Sequence, residues 1–244
     1  SGATTCGTAE LLQPAVKTSA VTNARRAARW FMVPAYAAPA SPCKCVAATL
    51  VGNSGACTVG GMWCDRSMHP QRKVMAWINV IGGIAVLGSY AHGLSTHPDP
   101  NSAWGGVPEE IKPLYTVSMF AAAAGYLLFT YVVLFRVDPA RARLGSRAAY
   151  PLLNLLYIAV LLPSALWMPL TFAMIDAPGV GTWLAVRGVL AVVGAAALGF
   201  IYALARLEPT PGRGWRIVAV MGAIAFANQT ALLDALVWPA FFPT

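Results

Sequence analysis

Charged residues are scarce in this chain. Only 11% of its 244 residues are Asp, Glu, Lys or Arg, whereas 57% are hydrophobic. The chain also lacks the nucleophile elbow, the zinc-protease motif, the phosphate-binding loop and the glycine-rich dinucleotide loop. Its basic residues lie in loops and near the N-terminus, so the net charge of +8 does not indicate a nucleic-acid-binding face. We therefore expect neither an enzyme nor a nucleic-acid-binding protein.

Cysteines at metal-binding spacing are absent as well. No Cys-x2-Cys pair occurs, and no histidine follows at the spacing of a zinc finger. Iron–sulfur patterns are missing for the same reason. Free thiols or disulfides explain the cysteines better than a metal site does. All of them precede the first long apolar run: Cys6, Cys43, Cys45, Cys57 and Cys64.

Long apolar runs are what the chain has in abundance, and its mean hydropathy is +0.60. A run of about 20 residues is long enough to cross the ~30 Å hydrocarbon core of a bilayer as a helix. We expect an all-α integral membrane protein: residues 74–244 form a bundle of five transmembrane helices after a long, mostly irregular N-terminal extension, residues 1–73. The predicted helices are Val74–Ser95, Leu114–Phe135, Pro151–Ile175, Gly181–Leu207 and Ile217–Phe241.

The N-terminal extension is rich in Ala, Gly, Ser, Thr and Pro and shows no sustained helical or strand period. One segment is a candidate for a short interfacial helix or a partner-binding site, because basic residues there stand next to aromatic ones. An organelle-targeting remnant has the same composition and is the alternative interpretation. The residues concerned are Arg25, Arg26, Arg29, Trp30 and Phe31.

The distribution of Lys and Arg predicts the orientation in the membrane. The extension and the segments 136–147 and 206–216 are basic, whereas the segment 97–112 has one Lys and no Arg. These segments alternate across five spans in the way that the positive-inside rule requires. We expect the N-terminus on the stromal or matrix side of an organellar membrane.

Several polar residues lie inside the predicted spans. An ionisable group within a membrane is costly, so Asp234 is a candidate functional residue, paired with Arg187 or Arg216 or exposed to interfacial water. Asn79 and Asn154 are expected to form hydrogen bonds between helices. The neutral imidazole of His92 is a candidate axial ligand for a tetrapyrrole. We name as candidate cofactor-binding residues His92, Asn154 and Gln229, and as intramembrane polar residues Asp234, Asn228 and Asn79.

Other clusters have simpler explanations. Two histidines and several acids gather around the first loop, where they form either a metal site or solvated loop charges, and the second interpretation is favoured. Most tryptophans fall near helix ends, which is typical of the interfacial aromatic belt and not of a binding site. The loop residues are His92, His97, Asp99, Glu109 and Glu110, and the tryptophans are Trp77, Trp104, Trp167, Trp183, Trp215 and Trp238.

The five helices, the tryptophan-bearing loop after the first of them, and the segment ALWMPLTF resemble the translocator (tryptophan-rich sensory) proteins. The resemblance implies binding of tetrapyrroles or sterols. The loop sequence WGGVPEEIKPLY departs from the KP-W-PP pattern of that family, so no family residues are assigned to this chain.

Two functions compete on this evidence. The first is a non-catalytic accessory subunit of a large organellar energy-transducing complex, with a thylakoid photosystem supercomplex favoured over a mitochondrial inner-membrane assembly. Chlorophyll or another tetrapyrrole, carotenoid and lipid are its expected cofactors, and other subunits and membrane lipids its partners. The second is a self-contained protein that binds or transports a small tetrapyrrole- or sterol-like molecule. The odd number of helices and the absence of an internal repeat count against a transporter.

Overall fold

The computed structural model describes residues 68–242, and these form five long helices. Each predicted span matches an observed helix, and no predicted end extends beyond its helix by more than one residue. The fifth helix, Arg213–Ala240, changes type along its length. The helices are α1 (Pro70–Thr96), α2 (Lys112–Arg136), α3 (Ala149–Asp176), α4 (Val180–Arg206), α5 (Arg213–Ala227), a π-helix (Asn228–Val237) and the last turn α6 (Trp238–Ala240). Shorter elements are the 3-10 helix Pro100–Trp104 and the strands β1 (Arg143–Leu144) and β2 (Arg147–Ala148).

The outer surface of the helices is apolar. Leu87, Phe120 and Val180 are 73%, 74% and 77% exposed. Monomeric soluble proteins rarely expose so many large apolar side chains on one continuous surface, whereas lipid tails solvate them. The five helices are 25 to 28 residues long, about 40 Å each at 1.5 Å per residue. The chain is therefore a multi-pass membrane protein.

The helices form a ring whose order differs from the order in the sequence. Helix α3 packs along both α1 and α4, and α4 packs along the fifth helix. The fifth helix packs along α2, whereas α1 and α2 contact each other little. Around the ring the order is α1, α3, α4, the fifth helix and α2. The α1–α2 side is therefore the loosest part of the wall.

Aromatic rings from four helices meet in the middle of the bundle. Phe129 of α2, Tyr157 of α3 and Phe200 of α4 are fully buried and contact one another, with ring centroids 4.8 to 6.2 Å apart. The Tyr157 hydroxyl donates to Thr130 at 3.0 Å, so its polar end is satisfied. Tyr126 of α2 and Phe226 of α5 complete this cluster, which we call the aromatic floor.

Glycine permits the closest helix contact, between α2 and α5. A Cβ atom added to Gly222 would lie 2.7 Å from the carbonyl oxygen of Gly125, and one added to Gly125 would overlap the carbonyl oxygen of Gly222. Small residues let membrane helices approach until their backbones touch. Gly82 of α1 also permits a close contact, because a Cβ atom there would lie 2.7 Å from a methyl carbon of Leu161 in α3.

Polar side chains also join the helices, as predicted for the asparagines. Tyr126 of α2 donates a hydrogen bond to Asn79 of α1. Asn154 of α3 donates to Gln71 at the start of α1 over 3.0 Å. Helix α3 continues as one α-helix through Pro163 and Pro169.

The two ends of the bundle differ in charge. At the basic end, β1 and β2 form a hairpin, and Arg143 pairs through its backbone with Glu208 in the next loop. Arg136 of α2 stacks over Trp215 of α5 at 4.4 Å. The opposite end carries the loop 97–111 and the end of the fifth helix.

Several sequence predictions fall outside the residues that the structure describes. They concern the N-terminal extension, its partner-binding or interfacial segment and the state of the cysteines. The residues are Arg25, Arg26, Arg29, Trp30, Phe31, Cys6, Cys43, Cys45, Cys57 and Cys64.

Candidate functional site

A cavity of about 440 Å³ lies between the five helices. It occupies the half of the bundle nearer the opposite end, because its lining residues come from positions 86–94 of α1, 115–123 of α2 and 226–238 of the fifth helix. Helices α3 and α4 contribute Trp167 and Leu190, among others. Its size falls within the usual range of small-molecule sites. A larger cleft, about 690 Å³, lies near the surface of this end and has no charged side chain in its lining.

The aromatic floor closes the cavity towards the basic end. Phe226 belongs both to the floor and to the cavity wall. The fully buried Phe129, Tyr157 and Phe200 lie beneath it. A molecule in the cavity therefore has no direct route to the basic end.

A short lid covers the cavity at the opposite end. The lid is the 3-10 helix Pro100–Trp104, and the Asp99 side chain caps it by accepting from the Asn101 N–H at 3.0 Å. Two hydrogen bonds connect the lid and the residues directly after it to the C-terminal end of the fifth helix. The Trp238 indole N–H donates to the Ala103 carbonyl at 3.1 Å, and the Gly106 N–H donates to the Phe241 carbonyl at 2.9 Å.

The wall between α1 and α2 is open. Leu94 of α1 and Met119 of α2 line the cavity and are nevertheless 45% and 43% exposed. This exposure agrees with the small contact area between the two helices. Both residues lie within helices that are long and apolar enough to span a membrane, so the opening is in the side wall of the bundle.

One charged side chain lines the cavity, that of Asp234. Its carboxylate accepts a hydrogen bond of 2.7 Å from the side-chain amide of Gln229, five residues earlier. In an α-helix, residues five apart point in directions that differ by about 140°. The π-helix turns both side chains towards the cavity, and π-helical segments are frequent at functional sites.

Two buried polar atoms beside the cavity have no hydrogen-bond partner among residues 68–242. They are the Gln229 Oε1 atom and the indole Nε1 atom of Trp167. Gln229 is only 5% exposed. Leaving such a group unpaired typically costs about 1–3 kcal/mol, so each one calls for an explanation. Both residues line the cavity, and a bound molecule is one way to satisfy them.

The candidate cofactor-binding residues do not lie together. Gln229 lines the cavity. Asn154 is buried near the basic end, where it bonds to Gln71. His92 is exposed on α1 and is not part of the cavity wall. The structure thus places the three residues at separate positions.

The intramembrane polar residues have separate roles. Asn228 donates to Ser118 of α2 at 3.2 Å, and Asn79 joins α1 to α2. Asp234 forms no salt bridge within the described part of the chain. The expected pairing with Arg187 or Arg216 is absent there, because both arginines are exposed on the outside of their helices.

The interfacial belt predicted for most tryptophans does not describe three of them. Trp104, Trp167 and Trp238 line the cavity, together with Tyr90 and Tyr115. Position near a helix end does not distinguish an outward ring from an inward one. A signal for the inward side of the fifth helix is the polar pair Gln229 and Thr230, since both are buried and line the cavity.

Two polar residues at the first loop are paired with other side chains. Lys112 contacts Glu109, and His97 contacts Asp176 at 3.1 Å while stacking on Phe172. Between residues 68 and 242, no three His, Cys, Asp or Glu side chains come close enough to hold a metal ion.

Comparisons with known proteins do not assign the chain to a family. No protein-family model matches it, and no curated protein or solved structure is significantly similar to it. The class that the fold defines is a five-helix membrane protein with an internal cavity, and its function must be argued from that cavity.

Proposed function

We propose that this protein is not an enzyme and that it binds a small, largely apolar molecule that enters from the membrane. The observation that carries the proposal is the cavity of about 440 Å³ enclosed by all five helices. Its opening lies between two spans, where a lipid-soluble molecule can enter without crossing water. This is the second of the two functions considered from the sequence.

The lining favours a sterol-like or lipid-like molecule over a metallated tetrapyrrole. Aromatic and aliphatic side chains make up most of the wall, which is typical of sites for apolar ligands. Among residues 68–242, no histidine lines the cavity. The imidazole of His92, the candidate axial ligand, lies on the outside of α1.

Photolabelling tests this function. The full chain is reconstituted in phosphatidylcholine vesicles with a diazirine-bearing fatty alcohol, and adducts are located by mass spectrometry. We expect adducts at Leu94 and Met119 in excess of those at the lipid-facing Leu87 and Phe120. Equal labelling of both sets would mean that the probe meets the protein only as bulk lipid, and would refute the proposal.

Two neighbouring alanines supply a matched pair of variants for that test. Ala123 lines the cavity, whereas Ala124 is exposed and lies outside its wall. Ala123→Phe should fill part of the cavity and remove most of the excess labelling. Ala124→Phe places the same ring one residue away, against lipid, and should leave the labelling unchanged.

A second candidate function is that of an accessory subunit in a larger organellar complex. Among such complexes we favour one of the thylakoid. The observation in its favour is the outward face of α1. Trp77 and Leu87 are 64% and 73% exposed, and a Cβ atom added to Gly83 or Gly88 would meet nothing within 4 Å. Such a face can take a further helix.

Native gels of mild detergent extracts test this second candidate. A large coloured band that contains the chain would support a pigment complex, and deletion of residues 1–65 should then release the chain from it. A band at the mass of the monomer or dimer would refute subunit membership. In a pigment-bearing complex, His92→Leu should remove one pigment, and an unchanged pigment count would refute that role of His92.

A further inference from the structure

Two polar side chains lie next to each other on the cavity wall. Asp234 and Gln229 lie side by side on the π-helix, joined by the hydrogen bond of 2.7 Å. Trp167 of α3 also lines the cavity and contacts Trp238, with ring centroids 6.1 Å apart. A ligand that fills the cavity therefore meets a carboxylate, a free amide oxygen and a free indole N–H.

The cavity has an acidic side chain in its wall but no basic one among the described residues. The acidic side chain is that of Asp234, and no Lys, Arg or His of residues 68–242 lines the cavity. Within the described residues no basic group lies within salt-bridge distance of the Asp234 carboxyl group. Ionisation of a carboxyl group at membrane depth is costly without a cation beside it, so this site favours a ligand that brings a positive charge.

The aromatic rings of the wall favour the same kind of ligand. The ring centroids of Tyr90 and Trp167 lie 5.6 Å apart, and those of Trp104 and Tyr115 lie 6.1 Å apart. All four rings line the cavity. Faces of Trp and Tyr attract cations, and amine recognition by several rings beside a carboxylate is a common arrangement.

We propose that the cavity binds an apolar molecule that carries a protonated amine, with the amine held by Asp234 and Gln229. This inference rests on the proposed function and adds the chemical class of the ligand. The ammonium group donates to the Asp234 carboxylate and to the unpartnered Gln229 Oε1 atom. The Trp167 N–H donates to an oxygen of the ligand, and the apolar part extends towards the opening between α1 and α2. Fatty acids and other anionic molecules are disfavoured by the same carboxylate.

A pair of probes with the same chain length tests the class of the ligand. The full chain is reconstituted in zwitterionic phosphatidylcholine vesicles at pH 7 with either a diazirine-bearing alkylamine or the corresponding alcohol. Labelling of Leu94 and Met119 is normalised to labelling of the lipid-facing Leu87, which corrects for partition of each probe into the bilayer. We expect the amine to label the cavity at least about tenfold more than the alcohol does. A tenfold preference corresponds to the smallest coupling energies measured for close charge pairs at interfaces.

Variants at the carboxylate separate the charge from the shape of the site. Asp234→Asn keeps the size of the side chain and its hydrogen bonding, and should reduce normalised labelling by the amine about tenfold. Labelling by the alcohol should not change, which also shows that the variant is folded. Asp234→Glu retains the charge and should retain most of the preference for the amine.

The outcomes separate this inference from the proposed function. Equal labelling of the cavity by both probes, unaffected by Asp234→Asn, would overturn the amine inference and leave the apolar cavity intact as a binding site. Labelling by neither probe above the level of Leu87 would overturn both. A preference for the amine that Asp234→Asn leaves unchanged would place the cation elsewhere and also overturn the inference.

Discussion

Replacing Gly125 by Ala tests whether the closest contact between α2 and α5 stabilises the bundle. The added methyl group would overlap the carbonyl oxygen of Gly222, and the converse substitution would bring its Cβ atom to 2.7 Å from the Gly125 carbonyl. Ordinary contacts begin at 3.4 Å, so the second substitution alone requires the helices to separate by about 0.7 Å. Backbone atoms cannot rotate away, and the whole interface must shift.

The expected cost is that of overpacking a tight core, about 1–3 kcal/mol. Gly→Ala also gains about 1 kcal/mol of helix propensity, which would partly conceal the steric cost. Gly88→Ala is the matched control, because the new Cβ atom on α1 would meet nothing within 4 Å. The difference between the two variants isolates the steric contribution, and Gly125→Ala should be less stable than Gly88→Ala by about 1–3 kcal/mol.

The stability of both variants is measured by reversible unfolding in mixed micelles with an increasing mole fraction of SDS. Tryptophan fluorescence reports the unfolding. If Gly125→Ala unfolds at the same SDS fraction as Gly88→Ala, α2 and α5 do not touch in the way described. Gly125 and Gly222 face each other, so their effects should not add in the double variant.

Two further predictions concern contacts around the cavity. Tyr126→Phe removes the donor to Asn79 and should destabilise the bundle by about 0.6 kcal/mol, at most ~1.7 kcal/mol, in the same SDS assay. Tyr202→Phe, at an exposed tyrosine of α4, should have no effect, and equal unfolding of the two variants would count against the hydrogen bond to Asn79. Trp238→Phe keeps an aromatic ring but removes the hydrogen bond to Ala103, so amide hydrogen exchange in residues 99–106 should accelerate. The control Trp183→Phe should leave this exchange unchanged. Unaltered exchange in Trp238→Phe would show that another contact holds the lid.

The positions of the helices were predictable because a membrane span needs a long apolar run, and nothing else in the chain has that property. Asn79 and Asn154 were predictable as partners in interhelical hydrogen bonds, since a polar group at membrane depth must find a partner. The inward rings of Trp104, Trp167 and Trp238 were not. Whether such a ring faces lipid or cavity depends on the rotation of each helix, and apolar residues occur on both sides of these spans.

The change to a π-helix at Asn228 was also missed. Proline is no guide to such a change here, because Pro163 and Pro169 of α3 lack N–H groups and yet lie within one continuous helix. In the fifth helix no residue type forces the change. It is set by how Gln229, Thr230 and Asp234 pack against neighbouring helices, which is a tertiary effect that the local sequence does not encode.

The aromatic floor and the opening between α1 and α2 together give the cavity a sidedness. The opening lies on one side of the floor, and the floor blocks passage from the other. Molecules dissolved in one leaflet of the bilayer can therefore reach the cavity directly, whereas those in the other leaflet must first flip across. Under the proposed function, the protein would sample the composition of a single leaflet and exchange its ligand without opening a path for ions across the membrane.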